Sequence, residues 1–139
     1  MKLLVTGGYG FIGSAFIRRI LSNYDYKIFN LDCLTYAANL NSLKQFENNP
    51  NYEFIKGNIC DKNLVQKLTK EVDYIINFAA ESHVDRSFLD EKTFYKTNVE
   101  GVLNLLECAK NSKIKKFLQI STDEVYGSIE VGKFSENSP

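Results

Sequence analysis

Leu3-Leu4-Val5-Thr6-Gly7-Gly8-Tyr9-Gly10-Phe11-Ile12-Gly13 is the stretch that decides the fold. Its apolar run is short, continuous and ended by glycines, the pattern of a strand buried on both faces. Residues 11–21 then carry apolar side chains at helical spacing, which puts the glycines at a strand-to-helix turn. Amides at the start of such a helix converge on one spot, where the diphosphate of a dinucleotide can accept their hydrogen bonds. Gly7 or Gly8 permits the tight turn, Gly10 lets a phosphate approach the backbone, and Gly13 lets the helix pack close on the strand.

A ligand-free turn would also use glycines, so the spacing alone is a weak signal. Asp32 strengthens it, because it ends the next predicted strand nineteen residues after Gly13. An acid at about that distance accepts hydrogen bonds from the ribose hydroxyls and repels a 2′-phosphate, which favours NAD over NADP. Cys33 beside it is neutral and offers no guanidinium to hold such a phosphate.

Working outward, residues 26–31, 52–56, 74–78 and 116–120 read as four further strands, with a turn at Asn48-Asn49-Pro50-Asn51. Asp61 is a candidate N-cap for a helix reaching Thr69. A longer helix is expected over residues 92–109, with Val99, Val102, Leu103, Leu106 and Ala109 on one buried stripe. Strands alternating with helices require right-handed crossovers and place helices on both faces of a parallel sheet. The expected fold is therefore α/β, a doubly wound parallel sheet of the Rossmann type, filling residues 1–139 as one domain.

Composition narrows the function. Seventeen Lys and Arg balance seventeen Asp and Glu, which argues against a nucleic-acid footprint or a polybasic membrane anchor. Apolar residues make up 44% and charged residues 24%, as in ordinary globular domains rather than disordered chains. No apolar run approaches the length of a membrane span, and the start does not read as a signal peptide, so a cytoplasmic location is expected. Cys33, Cys60 and Cys108 form no metal or disulfide pattern and are expected to fill core space. The lysines at 110, 113, 115 and 116 suit a helix C-terminus and need no anionic partner.

The glycines at 7, 10 and 13, with Asn77-Phe78-Ala79-Ala80 closing the fourth strand and Ser121-Thr122 closing the fifth, resemble the extended short-chain dehydrogenase/reductases. Three segments narrow the likeness. Residues 32–40 (DCLTYAANL), 79–87 (AAESHVDRS) and 121–127 (STDEVYG) are similar to those of the dTDP-glucose 4,6-dehydratases within that family, and the likeness runs the whole length of the chain.

That resemblance implies NAD as cofactor, held by Gly7, Gly10, Phe11, Ile12 and Gly13, by Asp32, by Leu34 and Thr35, by Asn58 and Ile59, by Ala79 and Ala80, and by Thr97. It implies a nucleotide-sugar substrate, dTDP-glucose, lined by a stretch containing Ser82 and His83, and a homodimeric parent enzyme. It implies no metal. The family oxidises the sugar at C4 by hydride transfer to NAD, eliminates water across C5 and C6, and returns the hydride to C6. Thr122, Asp123 and Glu124 then take catalytic roles: Glu124 removes the C5 proton, Asp123 protonates the departing hydroxyl, and Thr122 bonds near the C4 oxygen. Two neighbouring carboxyls suit this, since each pushes the other's pKa apart. They can face one substrate only if the strand has ended before them, because successive strand residues point to opposite faces.

Three positions depart from the family pattern: Asn58 replaces an Asp that receives the adenine amino group, Cys33 replaces a common Lys, and Ala38 a common Gly. The family's helical Tyr-x-x-x-Lys pair is also missing. The sole match in spacing, Tyr52 with Lys56, falls on a predicted strand. The chain is accordingly expected to be the N-terminal portion of such an enzyme, lacking later strands and a substrate domain, and inactive by itself. The edge of its fifth strand is expected to be prone to pairing. Other readings are a nucleotide-sugar epimerase, decarboxylase or different dehydratase of the same family, and a non-catalytic NAD-binding module.

Overall fold

The computed structural model describes residues 1–139, apart from the side chains of Val84, Arg86 and Asp123. Its frame is a parallel sheet of five strands, β1 (Lys2–Thr6), β2 (Lys27–Asp32), β3 (Tyr52–Lys56), β4 (Tyr74–Asn77) and β5 (Lys116–Gln119). They lie side by side in the order β3-β2-β1-β4-β5. Leu4 pairs with Phe29 on one side and Ile75 on the other, so β1 is the centre of the sheet. The expected doubly wound α/β architecture is the observed one.

Alternation along the strands builds two cores. Leu4, Phe29, Leu31 and Ile75 pack with Val65 and Leu68 of α2 (Lys62–Thr69) and with Leu105 and Cys108 of α5 (Val102–Lys110). Leu3, Val5, Ile28 and Ile76 face the other way, against Ile17 of α1 (Phe11–Asn23) and Leu43 and Phe46 of a 3-10 helix (Leu40–Phe46). Asp61 caps α2 as expected, its side chain accepting from the Leu64 amide at 3.0 Å. β5 is the sheet edge, with Leu118 half exposed.

The long helix departs from expectation. After a short α3 (Val84–Ser87), α4 (Glu91–Tyr95) runs into a π-helical stretch, Lys96–Gly101, before α5 begins. A π turn takes in an extra residue and rotates everything beyond it. The buried positions are therefore Gly101, Leu105 and Cys108, whereas Val99, Leu103 and Leu106, expected on the buried stripe, are each at least 44% exposed. The cysteines also divide: Cys108 is buried as expected, Cys60 partly so, and Cys33 is exposed.

Gly101 shows what fixes that rotation. A Cβ there would lie 2.5 Å from Ile59 Cδ1 and 2.7 Å from its Cγ1. Gly101→Ala gains about 1 kcal/mol of helix propensity, but overpacking in a filled core costs roughly 1–3 kcal/mol. The variant is expected to unfold at lower urea concentration than the parent; an unchanged midpoint would show that the helix is free to shift.

Candidate functional site

The glycine turn sits where the chain leaves β1. Gly7 has φ +69°, and a Cβ on it would stand 2.6 Å from the Ala79 nitrogen and 2.8 Å from the Phe78 carbonyl carbon. The turn is thus pressed backbone to backbone against the exit of β4. It is Gly7, not Gly8, that supplies the positive φ. Its amide donates to the Leu31 carbonyl at 2.9 Å, and the Gly10 amide donates back to Gly7 O at 3.1 Å. Gly13 lies under the turn, where a Cβ would come 2.3 Å from Gly7 O.

Helix α1 starts at an N-cap, Gly10, that makes no side-chain bond, and its first turn carries no acid. Phe11 and Ile12 extend into solvent, Phe11 being 93% exposed. The helix start thus presents amides without a carboxylate to compete for them, as a phosphate cradle requires.

Asp32 is nearly buried, and both its oxygens are engaged. Oδ2 accepts from the Tyr9 amide at 2.9 Å and Oδ1 from the Leu34 amide at 2.8 Å. The carboxylate therefore ties the glycine turn to the turn after β2, and each oxygen retains a lone pair for another donor. Leu34 itself adopts φ +58°. Its side chain packs into the core under α1, so of Leu34 only the backbone belongs to the turn beside Asp32. Desolvation, with the Asp32 carboxylate second, pushes the Cys33 thiol above its usual range.

Gly7, Asp32, Thr35, Asn58, Ala79 and Thr97 line one crevice at the carboxyl edge of the sheet, joined by Ile59 and Ala80. Asn58 Oδ1 already accepts from the Cys60 amide at 2.9 Å, leaving it one free lone pair. A second crevice shares Ala79 and Ala80 and extends through Gln119 and Ser121 to Thr122. Strand β5 ends at Gln119, and Asp123–Tyr126 forms a 3-10 turn, so the condition set on the Thr-Asp-Glu triplet is met in the backbone. Glu124 is exposed; the Asp123 side chain lies outside the described residues. Ser82 and His83 are exposed too, with the His83 ring 6.0 Å from that of Tyr36.

The structure adds residues the sequence did not single out. Tyr36 reaches across from the turn after β2 and donates to Glu81 Oε2 at 3.3 Å. Asn98, on the π turn, clamps the Glu81 backbone: its Oδ1 accepts from Glu81 N and its Nδ2 donates to Glu81 O, both at 2.9 Å. Beneath them Thr6 donates to Asn77 Oδ1, and Asn77 Nδ2 donates to Gln119 Oε1 at 2.8 Å, a polar row joining β1, β4 and β5. Only the alternation of polar residues at strand ends hinted at that row. Among the described residues no group of His, Cys, Asp and Glu is placed to hold a metal, and no helix is long and apolar enough to cross a membrane.

A parallel sheet in this order, with a glycine turn and a strand-end acid at its carboxyl edge, defines a domain of the Rossmann-like class. The chain belongs to the family described as GDP-mannose 4,6 dehydratase, whose model matches residues 4–139. It is 51% identical over its whole length to the low-salt glycan biosynthesis protein Agl12 of Haloferax volcanii, and 46% identical to a dTDP-glucose 4,6-dehydratase of Haemophilus influenzae. It spans 45% of the length of each. Among solved structures it superposes on DesIV, a dTDP-glucose 4,6-dehydratase from Streptomyces venezuelae crystallised with NAD, at a TM-score of 0.95 and 44% identity, covering 100% of this chain and 45% of that one.

Removing the Asp32 carboxylate strips two backbone amides of a charged acceptor in a nearly dry site. Asp32→Ala is expected to lose roughly 2–3 kcal/mol of stability in urea unfolding even without ligand. Stability equal to the parent's would show that the carboxylate does not hold the two turns together.

Proposed function

We propose that this chain provides the NAD site and the acid/base triplet of a nucleotide-sugar dehydratase of the dTDP-glucose 4,6 type. The observation that carries the reading is the crevice that Gly7 of the glycine turn and Asp32 line together, with the uncapped start of α1 following that turn. The residues fit the cofactor. Gly10 caps α1 without a side chain, so the amides of the first helical turn are left for an anion. Asp32 has lone pairs to spare for a ribose diol, and among the described residues no Arg or Lys lines the crevice to attract a 2′-phosphate. Bound NAD would accept and return the sugar's hydride.

The chain's own residues would do the rest. Amides 11–13 bind the diphosphate as it passes over Gly10, Asp32 orients the adenosine ribose, and Asn58 takes the adenine amino group through its remaining lone pair. Residues 79–81, held by Asn98, form the ridge between cofactor and substrate crevices. Thr122 bonds near the sugar C4 oxygen and Glu124 removes the C5 proton. Asp123 gives its proton to the C6 hydroxyl, which leaves as water, so protons balance. Ser82 and His83 belong to the stretch that lines the substrate. The domain assignment, residues 1–139 as the cofactor domain, and the homodimeric parent belong to the same reading. So does a cytoplasmic location.

An epimerase or decarboxylase of the same family would use the same cofactor crevice, and a non-catalytic module would use only that crevice. Titration with NAD separates the crevice from the chemistry. The chain is expected to bind NAD more tightly than NADP, and Asp32→Ala to weaken NAD by about tenfold or more; equal affinity for the two dinucleotides would overturn the cofactor assignment.

In the enzyme that carries this chain, dTDP-glucose is expected to lose the mass of one water. Glu124→Gln is expected to cut that rate by about 10²–10⁴-fold. Conversion of a UDP-sugar without mass loss would favour the epimerase.

A further inference from the structure

Asn30 is an anomaly in the core under α1. Strand β2 turns Ile28 and Asn30 to the same face, among Val5, Ile17 and Leu43, where an apolar side chain would serve better than a buried amide. Asn30 is fully buried. Its Nδ2 donates to Tyr52 Oη at 2.9 Å, yet its Oδ1 has no hydrogen-bond partner among the described residues. Something other than core filling keeps a carboxamide there.

Gly8 lies directly on that amide. A Cβ on Gly8 would be 2.1 Å from Asn30 Oδ1 and 2.6 Å from its Cγ. Unlike Gly7, Gly8 has no positive φ, so turn geometry does not demand a glycine; the carboxamide beneath it does, together with Ile17 Cδ1 at 2.5 Å. The next residue, Tyr9, is anchored to the same layer. Its amide donates to Asp32, its ring meets Phe54 edge-on at 4.9 Å, and its phenol is among the groups that push up the Tyr52 phenol, whose hydroxyl accepts from Asn30. Burial pushes the Tyr52 phenol up, so it stays neutral where it meets Asn30.

We propose that Asn30, braced by Tyr52, is a positioning residue for the glycine turn: it sets the height of Gly8 and Tyr9 above β2 and acts on a dinucleotide's diphosphate only through them. The inference deepens the NAD reading and rests on it for the ligand. It does not rest on it for the geometry. It also explains why Tyr52, despite its spacing from Lys56, has no place in catalysis: its hydroxyl is committed beneath the turn.

The test compares Tyr52→Phe and Asn30→Ser with the parent by amide hydrogen exchange, urea unfolding and NAD titration. Tyr52→Phe keeps the ring and is the variant to rely on if Asn30→Ser does not fold. The expected result is exchange at Tyr9 and Gly10 faster by about tenfold than the change in global stability accounts for, with Ile75 and Ile76 on β4 following global stability. NAD is expected to weaken by a similar factor in each folded variant. Rescue gives a further readout: Gly8→Ala should loosen the turn, and adding Asn30→Ser should restore part of its protection.

Exchange at Tyr9 and Gly10 that merely follows global unfolding would overturn the proposal and leave Asn30 a core residue. So would unchanged NAD affinity in variants of a parent that binds NAD. If the parent binds no NAD, the proposed function fails, while the exchange comparison still decides whether Asn30 positions the turn.

Discussion

The contact on which the site depends is between two stretches of backbone, Gly7 and Ala79, with no side chain between them. It needs a residue at positive φ without a Cβ, which only glycine supplies cheaply. Once made, it extends the β1–β4 pairing past the strand ends: the Phe78 amide donates to Thr6 O at 3.0 Å, and the Thr6 hydroxyl meets Asn77. At this seam the sheet reverses its direction of growth, because β1 leads outward to β2 and β3 while β4 leads to β5. The two exits diverge, and a crevice opens between them where ligands bind in such sheets. Asp32 closes one wall of it and residues 79–81 the other.

The walls are held by different physics. Asp32 is fixed by charge-assisted bonds to two amides, one in each turn, so disturbing either turn releases a carboxylate into a nearly dry site. Residues 79–81 are fixed by a neutral clamp from Asn98, which reaches Glu81 from a π-helical stretch. The π turn also swings Gly101 onto Ile59. One irregularity in the long helix therefore serves the core on one side and the ridge between the crevices on the other, which fits the tendency of π bulges to occur at functional sites.

Legibility in the sequence followed the range of the interaction. The strands were readable because buried parallel strands are continuous apolar runs, and β3 coincides with its expected bounds. The Asp61 cap was readable because its partner is three residues away. The buried stripe of the long helix was misread because a π turn leaves no mark on apolar spacing; the helix is held in register by Ile59, far away in sequence. The 3-10 helix at Leu40–Phe46 escaped notice for a similar reason, since Leu43 and Phe46 are ordered by the core under α1. In the site, the glycines and Asp32 carried a spacing signature, whereas Tyr36 and Asn98 find Glu81 across 45 and 17 residues. Leu34 shows the limit within a motif: the turn was identified, but the direction of its side chain was set by a positive φ that no pattern announces.

Gly8 and Gly10 differ in how tightly the fold presses on them. Gly8 has an internal cause, the carboxamide pressed beneath it. Gly10 is less crowded: φ −69° and ψ 169° suit any residue, but a Cβ there would press on Gly7 O at 3.2 Å, so the turn would have to give slightly. Ser, Asn or Asp at this N-cap would satisfy an amide of α1, and Asp would also complement the helix dipole. A protein with nothing to bind would gain from that cap. One that receives a diphosphate would not, because the cap would occupy the same amides and a carboxylate would repel the incoming charge. The bare helix start thus leaves the amides of the first turn of α1 without a side-chain cap, and the nearby Asp32 keeps lone pairs beyond the two that its turn amides use.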